Sequence, residues 1–353
     1  MNQRIIGIIE NNMDFNNTDI DWKKVNEVIN NANRIMLTTH ENPDGDGLGS
    51  ECGLYYHFKE QNIDVRIINY SSMPDYYYFL NKDNIFEKYD NDIHDKWIKD
   101  VDIVIIFDVG DYIRVRSIAD VIDYYGLKTM NIDHHPHPGD HPFTYNIVDL
   151  SAAATGCMVY DYLKATSTKS IRKKSLEGIY TAVMTDTGCF RYSNTDGKCH
   201  EIAIECLNVG VKTNKIYTRV YENNTRPRMQ LLGELLTNIQ YELDGNFAWF
   251  LITQDMISRA GAIKADVEGF SDMVRTIKGV EVAMMILEND KASCRINFRS
   301  KGKHIVNDIA KSMGGGGHAF AAGAVVPGTL QDVKEMAVKT SIKSIHEKMS
   351  KVS

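Results

Sequence analysis

Acidic and histidine side chains gather at four places between residues 40 and 188, each directly after a short apolar segment. The clusters are His40-Glu41-Asn42-Pro43-Asp44-Gly45-Asp46, Asp108, Asp133-His134-His135 and Asp186-Thr187-Gly188. Taken singly, each could be structural: Asp44 and Asp46 suit a turn, and Asp108 suits a strand end. Four clusters in series are poorly explained by stability, because neighbouring carboxylates repel one another unless cations compensate their charge.

The mixture of carboxylate and imidazole groups predicts a divalent-metal centre. Mn²⁺ accepts both donor types, whereas an all-oxygen cage would suit Mg²⁺ or Ca²⁺ better. The six groups that can supply two ions, if one carboxylate is shared, are His40, Asp44, Asp46, Asp108, His134 and Asp186. Asp108 is the natural bridge because it stands alone after a central apolar segment. Two ions ~3.5–4 Å apart can activate a water and hold the leaving oxygen of a phosphoester. We therefore expect a two-metal phosphoesterase that uses Mn²⁺, with Mg²⁺ as the alternative ion.

A second set of residues with phosphate-binding chemistry lies near the end of the sequence. The run Gly314-Gly315-Gly316-Gly317 is followed by His318 and then by the small residues of 319–323. Consecutive glycines let backbone N–H groups approach a phosphate, and His318 can donate to a phosphate oxygen or to a developing oxyanion. A flexible loop is the alternative for the glycines alone, but the small residues after His318 favour close packing.

A basic segment precedes the glycine run. Arg295, Asn297 and Arg299 alternate with apolar residues, so both arginines should lie on one face of a strand. The polar residues that follow are Ser300, Lys301, Lys303 and His304. An arginine fork binds two phosphate oxygens at once, so we expect a substrate-binding patch here. A solvated strand face is the alternative interpretation.

Alternating strands and helices must position these side chains. The predicted strands of the first part are 35–37, 65–68, 103–107 and 129–132, with helices such as 22–33 and 48–58 between them. This alternation predicts a mainly parallel sheet flanked by helices, in which ligands bind at the carboxyl ends of the strands. The apolar segment 179–184 could be a strand or a helix. Residues 1–20 look like a loose polar arm.

A chain of 353 residues is longer than one core usually covers, so the sequence predicts an α/β protein with two domains. We expect a catalytic domain at 1–197, a helical connector at 198–244 and a smaller α/β domain at 245–353. The elements predicted for the last part are strands 247–252, 280–287 and 293–298, with helices near 266–277, 304–313 and 330–349.

Composition excludes several classes of partner. The formal net charge is −7, which disfavours binding of long nucleic acid, because that affinity comes from neutralising phosphates. No segment approaches the ~20 apolar residues that span a bilayer. We see no signal peptide, and none of the six cysteines shows C-x-x-C spacing, so we expect a cytoplasmic protein with reduced thiols. Oligomeric state stays open, with a homodimer as one candidate.

These residues resemble the motifs of the DHH–DHHA1 family of phosphoesterases. The similar segments are His40-x-x-Pro43-Asp44-x-Asp46, Asp108, the namesake triplet Asp133-His134-His135, Asp186-Thr187-Gly188 and Gly315-Gly316-Gly317-His318-x-x-Ala321-Ala322-Gly323. They run from about residue 34 to 326 in the family's order. Length and arrangement are most similar to the nanoRNase and pAp-phosphatase subgroup.

The resemblance implies a Mn²⁺-dependent hydrolase of oligonucleotides a few residues long, of linear pApA and of 3′-phosphoadenosine 5′-phosphate. It implies one ion held by His40, Asp44 and Asp108, and another held by Asp46, Asp108, His134 and Asp186. Asp133 and His135 would act beside the ions. The residues implied to bind the phosphate and sugar end of the substrate are Arg299, Ser300, Gly315, Gly316, Gly317 and His318. Asn297 departs from the Ser common at that position of the subgroup. The rival functions are a pyrophosphatase or exopolyphosphatase on the same metal core, and a nucleotide-binding sensor without catalysis.

Overall fold

The computed structural model describes residues 13–16, 20–137, 141–317 and 319–349. His318, a predicted substrate residue, therefore lies outside the described residues. The chain forms two compact units, Met1–Asn223 and Asn224–Ser353. The boundary between them falls inside the predicted connector 198–244.

A parallel sheet forms the centre of the first unit. Its strands among the described residues are β1 (Met13–Asn16), β2 (Arg34–Thr39), β3 (Asp64–Asn69), β4 (Phe86–Lys88), β5 (Ile103–Phe107), β6 (Thr129–Asp133) and β7 (Tyr145–Val148). The strand order is β1-β7-β6-β5-β2-β3-β4, and every described pair is parallel. The predicted parallel sheet is confirmed. The prediction of a loose arm at residues 1–20 was wrong in part, because residues 13–16 pair with β7.

Helices cover both faces of this sheet. They are α1 (Trp22–Ile29), α2 (Gly45–Glu60), α3 (Asn91–Ile98), α4 (Ser117–Tyr125), α5 (Thr155–Thr166), α6 (Lys173–Asp186), α7 (Gly197–Asn208) and α8 (Thr213–Tyr221). One apolar core contains side chains of α1, α2, α5 and α6, and a second contains side chains of α3 and α4. Segment 179–184 is part of a helix, so the strand alternative for it was wrong. Among the described residues, no helix has the length and apolar character needed to cross a membrane.

Helices α2 and α6 touch backbone to backbone at glycines. A Cβ added to Gly49 would lie 2.4 Å from the carbonyl oxygen of Gly178, and one added to Gly178 would lie 2.6 Å from that of Gly49. A Cβ at Gly45, in the first turn of α2, would lie 2.4 Å from Oγ1 of Thr185 near the end of α6. This close packing brings the start of α2 beside the end of α6, where Asp186 stands.

The second unit is a smaller α/β layer structure, as predicted. Its described strands are β8 (Gln240–Glu242), β9 (Phe247–Ile252), β10 (Val282–Asp290), β11 (Ser293–Ser300), β12 (Gly316–Gly317) and β13 (Ala321–Pro327). Its described helices are α9 (Arg226–Leu236), α10 (Gln254–Ala260), α11 (Phe270–Arg275), α12 (Asn307–Ser312) and α13 (Leu330–Met349). The strand order is β12-β13-β11-β10-β9-β8, with β9 and β10 parallel and the other pairs antiparallel.

Candidate metal centre

The six predicted metal ligands converge at the carboxyl ends of β2, β5 and β6, beside the start of α2 and the end of α6. They form a first ligand group (His40, Asp44 and Asp108) and a second ligand group (Asp46, His134 and Asp186). A third cluster of possible ligands among the described residues, Asp108, His134 and His135, overlaps both groups. Within each group the potential ligand atoms lie within 4.8 Å of one another. Asp108 also contacts the second group: its Oδ2 is 3.6 Å from Nε2 of His40, and its Oδ1 is 3.5 Å from Nε2 of His134. Asp108 therefore occupies the bridging position between the groups.

Helix termini orient the two carboxylates of the first motif. Asp44 is the N-cap of α2, and its Oδ1 accepts from the amides of Asp46 (3.0 Å) and Gly47 (3.2 Å). Its Oδ2 lies 3.6 Å from Nε2 of His40. Asp46 accepts from two amides at the start of α5, those of Thr155 (2.7 Å) and Gly156 (2.8 Å). Backbone donors thus fix both carboxylates, with Oδ2 of Asp44 beside His40 and Oδ2 of Asp46 beside His134.

The imidazole of His134 is oriented by a backbone carbonyl. Its Nδ1 lies 3.1 Å from the carbonyl oxygen of Ala152, which can only accept a hydrogen bond. This contact assigns the proton to Nδ1 and leaves the Nε2 lone pair for a metal. Nε2 lies 3.6 Å from Oδ2 of Asp46 and 3.7 Å from Oδ2 of Asp186.

The backbone at Asp108 adopts a left-handed conformation, with φ of 55°. A non-glycine residue rarely occupies this region, and such strain persists only where the surrounding structure enforces it. Asp108 follows the fully buried strand β5 and is itself 3% exposed. With this backbone conformation its side chain lies between the two ligand groups.

Asp133 braces the centre and belongs to neither ligand group. It is fully buried, and its Oδ2 accepts from the amides of Val109 (3.0 Å) and Gly110 (2.7 Å). Its Oδ1 lies 2.8 Å from Nδ1 of His135, which is also 3.1 Å from Oδ1 of Asp108. His137, which the sequence left without a role, places Nε2 3.0 Å from Oδ2 of Asp133. Asp133 thus links His135 to the loop after β5.

Like charges and burial shift the titration of these groups. Burial, with repulsion from Asp108, raises the pKa of Asp46 well above its usual range, and burial raises that of Asp186 to about 7. Burial opposes protonation of His134, but contacts with Asp108 and Asp46 outweigh burial and raise the pKa of His134 to about 11. Without an ion the ring therefore carries a second proton on Nε2, which a bound metal would displace. Burial opposes charge on Asp108 too, yet the surrounding imidazoles hold its pKa well below the usual range. The carboxylates therefore require positive charge among them.

Two buried atoms at the middle of the site show that a cation fits there. Oδ1 of Asp108 and Nε2 of His134 face each other at 3.5 Å without hydrogen-bond geometry, and the same oxygen lies 3.1 Å from Nδ1 of His135. A divalent cation between these atoms would be bound by both, and the mixed oxygen and nitrogen donors match ions such as Mn²⁺. The residues therefore fit a pair of divalent ions.

The predicted arginine face of the second unit is present on β11. Arg295, Asn297 and Arg299 are partly exposed on one face, and the residues between them are buried on the other. Nε of Arg299 lies 3.1 Å from Oδ2 of Asp272, and Nη2 of Arg295 lies 2.7 Å from Oε1 of Glu268. Both arginines thus already pair with carboxylates.

Ser300 ends β11 on its buried face. It is 4% exposed, and its hydroxyl accepts from the amide of Gly302 at 3.2 Å. The structure thus separates Ser300 from the arginine face, and its role as a substrate residue stays a prediction.

The glycine run is packed against a strand, as its small neighbours predicted. Gly316 and Gly317 form β12, which pairs with β13. A Cβ on Gly315 would lie 2.1 Å from the carbonyl oxygen of Gly323, and one on Gly317 would lie 2.7 Å from that of Ala321. At Gly316, no described atom lies within 4 Å of where a Cβ would stand. Gly315 and Gly317 are required for packing, whereas Gly316 has an open side.

Backbone contributions to the metal centre escaped the sequence analysis. The residue types of Thr155 and Gly156 do not indicate that their backbone amides donate to Asp46. A usable signal existed for the packing of α2, because Gly45, Gly49 and Gly53 recur at intervals of four, which places them on one helical face.

Two family models match the chain in succession. Residues 34–185 match the DHH family, N-terminal domain, and residues 248–347 match the DHHA1 domain. The first match includes five of the six predicted metal ligands and ends one residue before the sixth, Asp186.

Similar proteins extend over nearly the whole chain. The bifunctional oligoribonuclease and PAP phosphatase NrnA of Thermus thermophilus is 28% identical over 90% of this chain and 90% of its own length. The protein of the same name from Bacillus subtilis is 28% identical over 83% of this chain and 89% of its own. Among solved structures, an exopolyphosphatase-related protein from Bacteroides fragilis superimposes with a TM-score of 0.85 and 28% identity, covering 92% of this chain and 95% of that one.

Proposed function

Because the chain belongs to the DHH–DHHA1 family, we propose that it is a two-metal hydrolase of phosphoester bonds in very short oligonucleotides, including pApA, and in 3′-phosphoadenosine 5′-phosphate. The observation that carries this proposal is the position of Asp108, whose two oxygens face the imidazoles of two separate ligand groups. The similar proteins named oligoribonuclease and PAP phosphatase support the substrate class.

The two ions would be held by the two ligand groups, with Asp108 shared between them. Mn²⁺ is the proposed ion, because imidazole and carboxylate donors are mixed in both groups. Such a pair of ions, when bound, lowers the pKa of a water and neutralises charge on the phosphoryl oxygens and the leaving oxygen. The proposal for Mn²⁺ over Mg²⁺ rests on the two histidines, since Mg²⁺ prefers oxygen ligands.

His135 would act directly on the substrate. Its Nδ1 lies between Oδ1 of Asp133 and Oδ1 of Asp108, so the ring has a fixed orientation beside the ligand groups. In this position it would hydrogen-bond a phosphoryl oxygen or donate a proton to the leaving oxygen. Asp133 would act through His135 as a positioning residue, because amide donors hold its other oxygen.

Residues of the second unit would bind the substrate's phosphate and sugar. Arg299 and Arg295 carry the charge for this role, and substrate phosphate would replace the carboxylates with which they now pair. Among the glycines, Gly315 and Gly317 would set the course of the strand, and Gly316 would leave backbone amides accessible. His318 and Ser300 are proposed for the same end of the substrate. The net charge of −7 supports short substrates over long polyanions.

Condensed phosphates are the second candidate substrate class. The name of the similar Bacteroides fragilis structure, an exopolyphosphatase-related protein, favours testing them. An inactive nucleotide sensor is disfavoured, because all six predicted metal ligands lie in the two groups.

A substrate panel tests the proposal. The purified protein is incubated with pApA, 3′-phosphoadenosine 5′-phosphate, a 24-nucleotide RNA, pyrophosphate and polyphosphate, with Mn²⁺, with Mg²⁺ and with EDTA. We expect release of mononucleotides from pApA and of phosphate from 3′-phosphoadenosine 5′-phosphate, with Mn²⁺ the better ion and no hydrolysis in EDTA. Faster hydrolysis of pyrophosphate or polyphosphate would replace the proposal with its rival, and no hydrolysis of any compound would favour the sensor.

A further inference from the structure

A buried polar chain runs from the middle of α2 to the first metal ligand. We propose that Glu51, acting through the side-chain amide of Asn69, positions His40 and so sets the affinity of the first ligand group for its divalent ion. This inference rests on the proposed function, since it concerns the metal centre of that function. It assigns a positioning role to two residues that lie outside both ligand groups.

Asn69 extends the pairing of β2 and β3 to the last residue before His40. The described ladder between these strands ends at the pair Leu37–Ile67. Beyond it, Oδ1 of Asn69 accepts from the backbone amide of Thr39 at 3.0 Å and from the hydroxyl of Thr38 at 3.2 Å. At the end of β2, next to His40, the side-chain amide of Asn69 thus replaces the backbone pairing between the two strands.

Thr39 is held from its other side as well. Its hydroxyl donates to the carbonyl oxygen of Phe107 at 2.8 Å, and Phe107 immediately precedes Asp108. The backbone before His40 is therefore fixed both to β3 and to the residue before the shared carboxylate. A change at Asn69 would reach His40 through a single residue.

Glu51 determines which way the Asn69 amide faces. Its Oε2 accepts from Nδ2 of Asn69 at 3.0 Å, so the amide oxygen must point toward Thr39. Without that acceptor, the side-chain amide of Asn69 could rotate so that its oxygen points away from Thr39. Its NH₂ group would then face the Thr39 N–H, and two donors cannot form a hydrogen bond. Glu51 is fully buried and Asn69 is 3% exposed, so water offers no ready substitute.

Stability does not explain a carboxyl group at position 51. Its Oε1 makes no hydrogen bond with any described residue, and its neighbours Leu48, Cys52 and Leu54 on α2 are buried apolar side chains. A buried polar atom in this condition costs about 1–3 kcal/mol, and an apolar residue of similar size would avoid that cost. Residues that break a packing rule in this way tend to serve function.

The test compares Mn²⁺ affinity among variants by isothermal titration calorimetry. Glu51→Leu removes the acceptor and keeps the volume, and Asn69→Leu breaks the same chain at its second member. Glu51→Gln keeps an acceptor oxygen for Asn69. Thr181→Val is the matched control, because it removes a buried polar group of the same unit, a hydroxyl that donates within α6 to the carbonyl of Glu177.

We expect Glu51→Leu and Asn69→Leu to weaken one of two Mn²⁺ sites by ~10–100-fold, the usual effect of losing a residue that supports a metal ligand. Glu51→Gln should restore affinity to within ~3-fold of wild type, and Thr181→Val should leave it unchanged. Excess Mn²⁺ should restore hydrolysis in the weakened variants.

A merely structural role predicts lower melting temperatures with unchanged Mn²⁺ affinity in both leucine variants, and that result would overturn the inference. Glu51→Gln as weak as Glu51→Leu would overturn it too, because the hydrogen bond would then not be the cause. If the wild type binds two Mn²⁺ yet hydrolyses nothing in the substrate panel, the proposed function fails while the affinity comparison still decides this inference.

Discussion

The carboxylate of Asp46 accepts a 2.7 Å hydrogen bond from the backbone amide of Thr155, a residue 109 positions later in the chain. Its other oxygen accepts from the amide of Gly156 at 2.8 Å. The first turn of α5 therefore holds one ligand of the second ligand group, and the positive end of that helix favours its negative charge. The site is built as much by helix termini as by the side chains that it presents.

Replacing the shared carboxylate should abolish activity. Asp108→Asn removes negative charge from both ligand groups, and Asp186→Asn removes it from the second alone. Loss of metal stabilisation of several kcal/mol corresponds to a fall in kcat of ~10³-fold or more. Hydrolysis of pApA in Mn²⁺ measures the effect, and Asp92→Asn, at an exposed position of α3, serves as control. Wild-type rates for either active-site variant would contradict the metal assignment.

Arg299→Ala should act on substrate binding rather than on chemistry. A charge-assisted hydrogen bond to phosphate contributes about 1.5–3 kcal/mol, so KM should rise by roughly 10–100-fold with kcat little changed. Steady-state kinetics on pApA measure both constants. Arg259→Ala is the control, since Arg259 forms ion pairs with Glu234 and Asp255 on the surface of the same unit. A KM equal to that of wild type would remove Arg299 from the substrate site.

Two neighbouring glycines should respond differently to one added methyl group. Gly315→Ala would force a Cβ against the carbonyl oxygen of Gly323 and should destabilise the protein by about 1–3 kcal/mol. Gly316→Ala meets no described atom, so its stability should stay within about 0.5 kcal/mol of wild type while its KM rises. Urea unfolding measures the free energy of unfolding of both variants, and steady-state kinetics measure their KM. Equal stability losses would contradict the packing difference, and an unchanged KM for Gly316→Ala would exclude phosphate binding there.

The buried Glu51 should make stability depend on pH. Burial raises the pKa of Glu51 from the ordinary 4.5 to about 8. Between these values the unfolded chain loses a proton that the folded protein keeps, so the free energy of unfolding should fall as pH rises and level off above about pH 8. Glu51→Gln has no such proton, and its stability relative to wild type should grow by up to ~1.4 kcal/mol per pH unit across this window.

Urea unfolding in EDTA at pH 5, 6, 7 and 8 measures this difference. The other titrating groups are common to both proteins and cancel in the comparison. Glu27→Gln, at an exposed position of α1, is the control for removing a surface carboxyl group. Parallel pH profiles for wild type and Glu51→Gln would show that the carboxyl is ionised in the folded protein.

Much of the fold was predictable because buried parallel strands appear in a sequence as short runs of apolar residues. The predicted strand 103–107 has the observed bounds of β5, and 129–132 stops one residue short of β6. The segment 179–184 was ambiguous for a physical reason. Its residues belong to a helix buried on most sides, so they lack the polar face that would distinguish it from a strand.

The supporting parts of the site could not be predicted, because they depend on tertiary contacts. Backbone amides at the start of α5 donate to Asp46, and the residue types of Thr155 and Gly156 do not predict these hydrogen bonds. Asn69 ends an ordinary strand, and its role depends on where Thr39 and Glu51 meet it. The gathering of these side chains was predictable because carboxylates and histidines that recur at the ends of several strands repel or destabilise one another without a bound cation.

Anomalous diffraction at the manganese edge, from crystals grown with Mn²⁺, tests the two-ion centre most directly. We predict two peaks ~3.5–4 Å apart, one contacted by His40 and Asp44, the other by Asp46, His134 and Asp186, and both contacted by Asp108. A single peak, or two peaks that do not share Asp108, would contradict the two-metal mechanism.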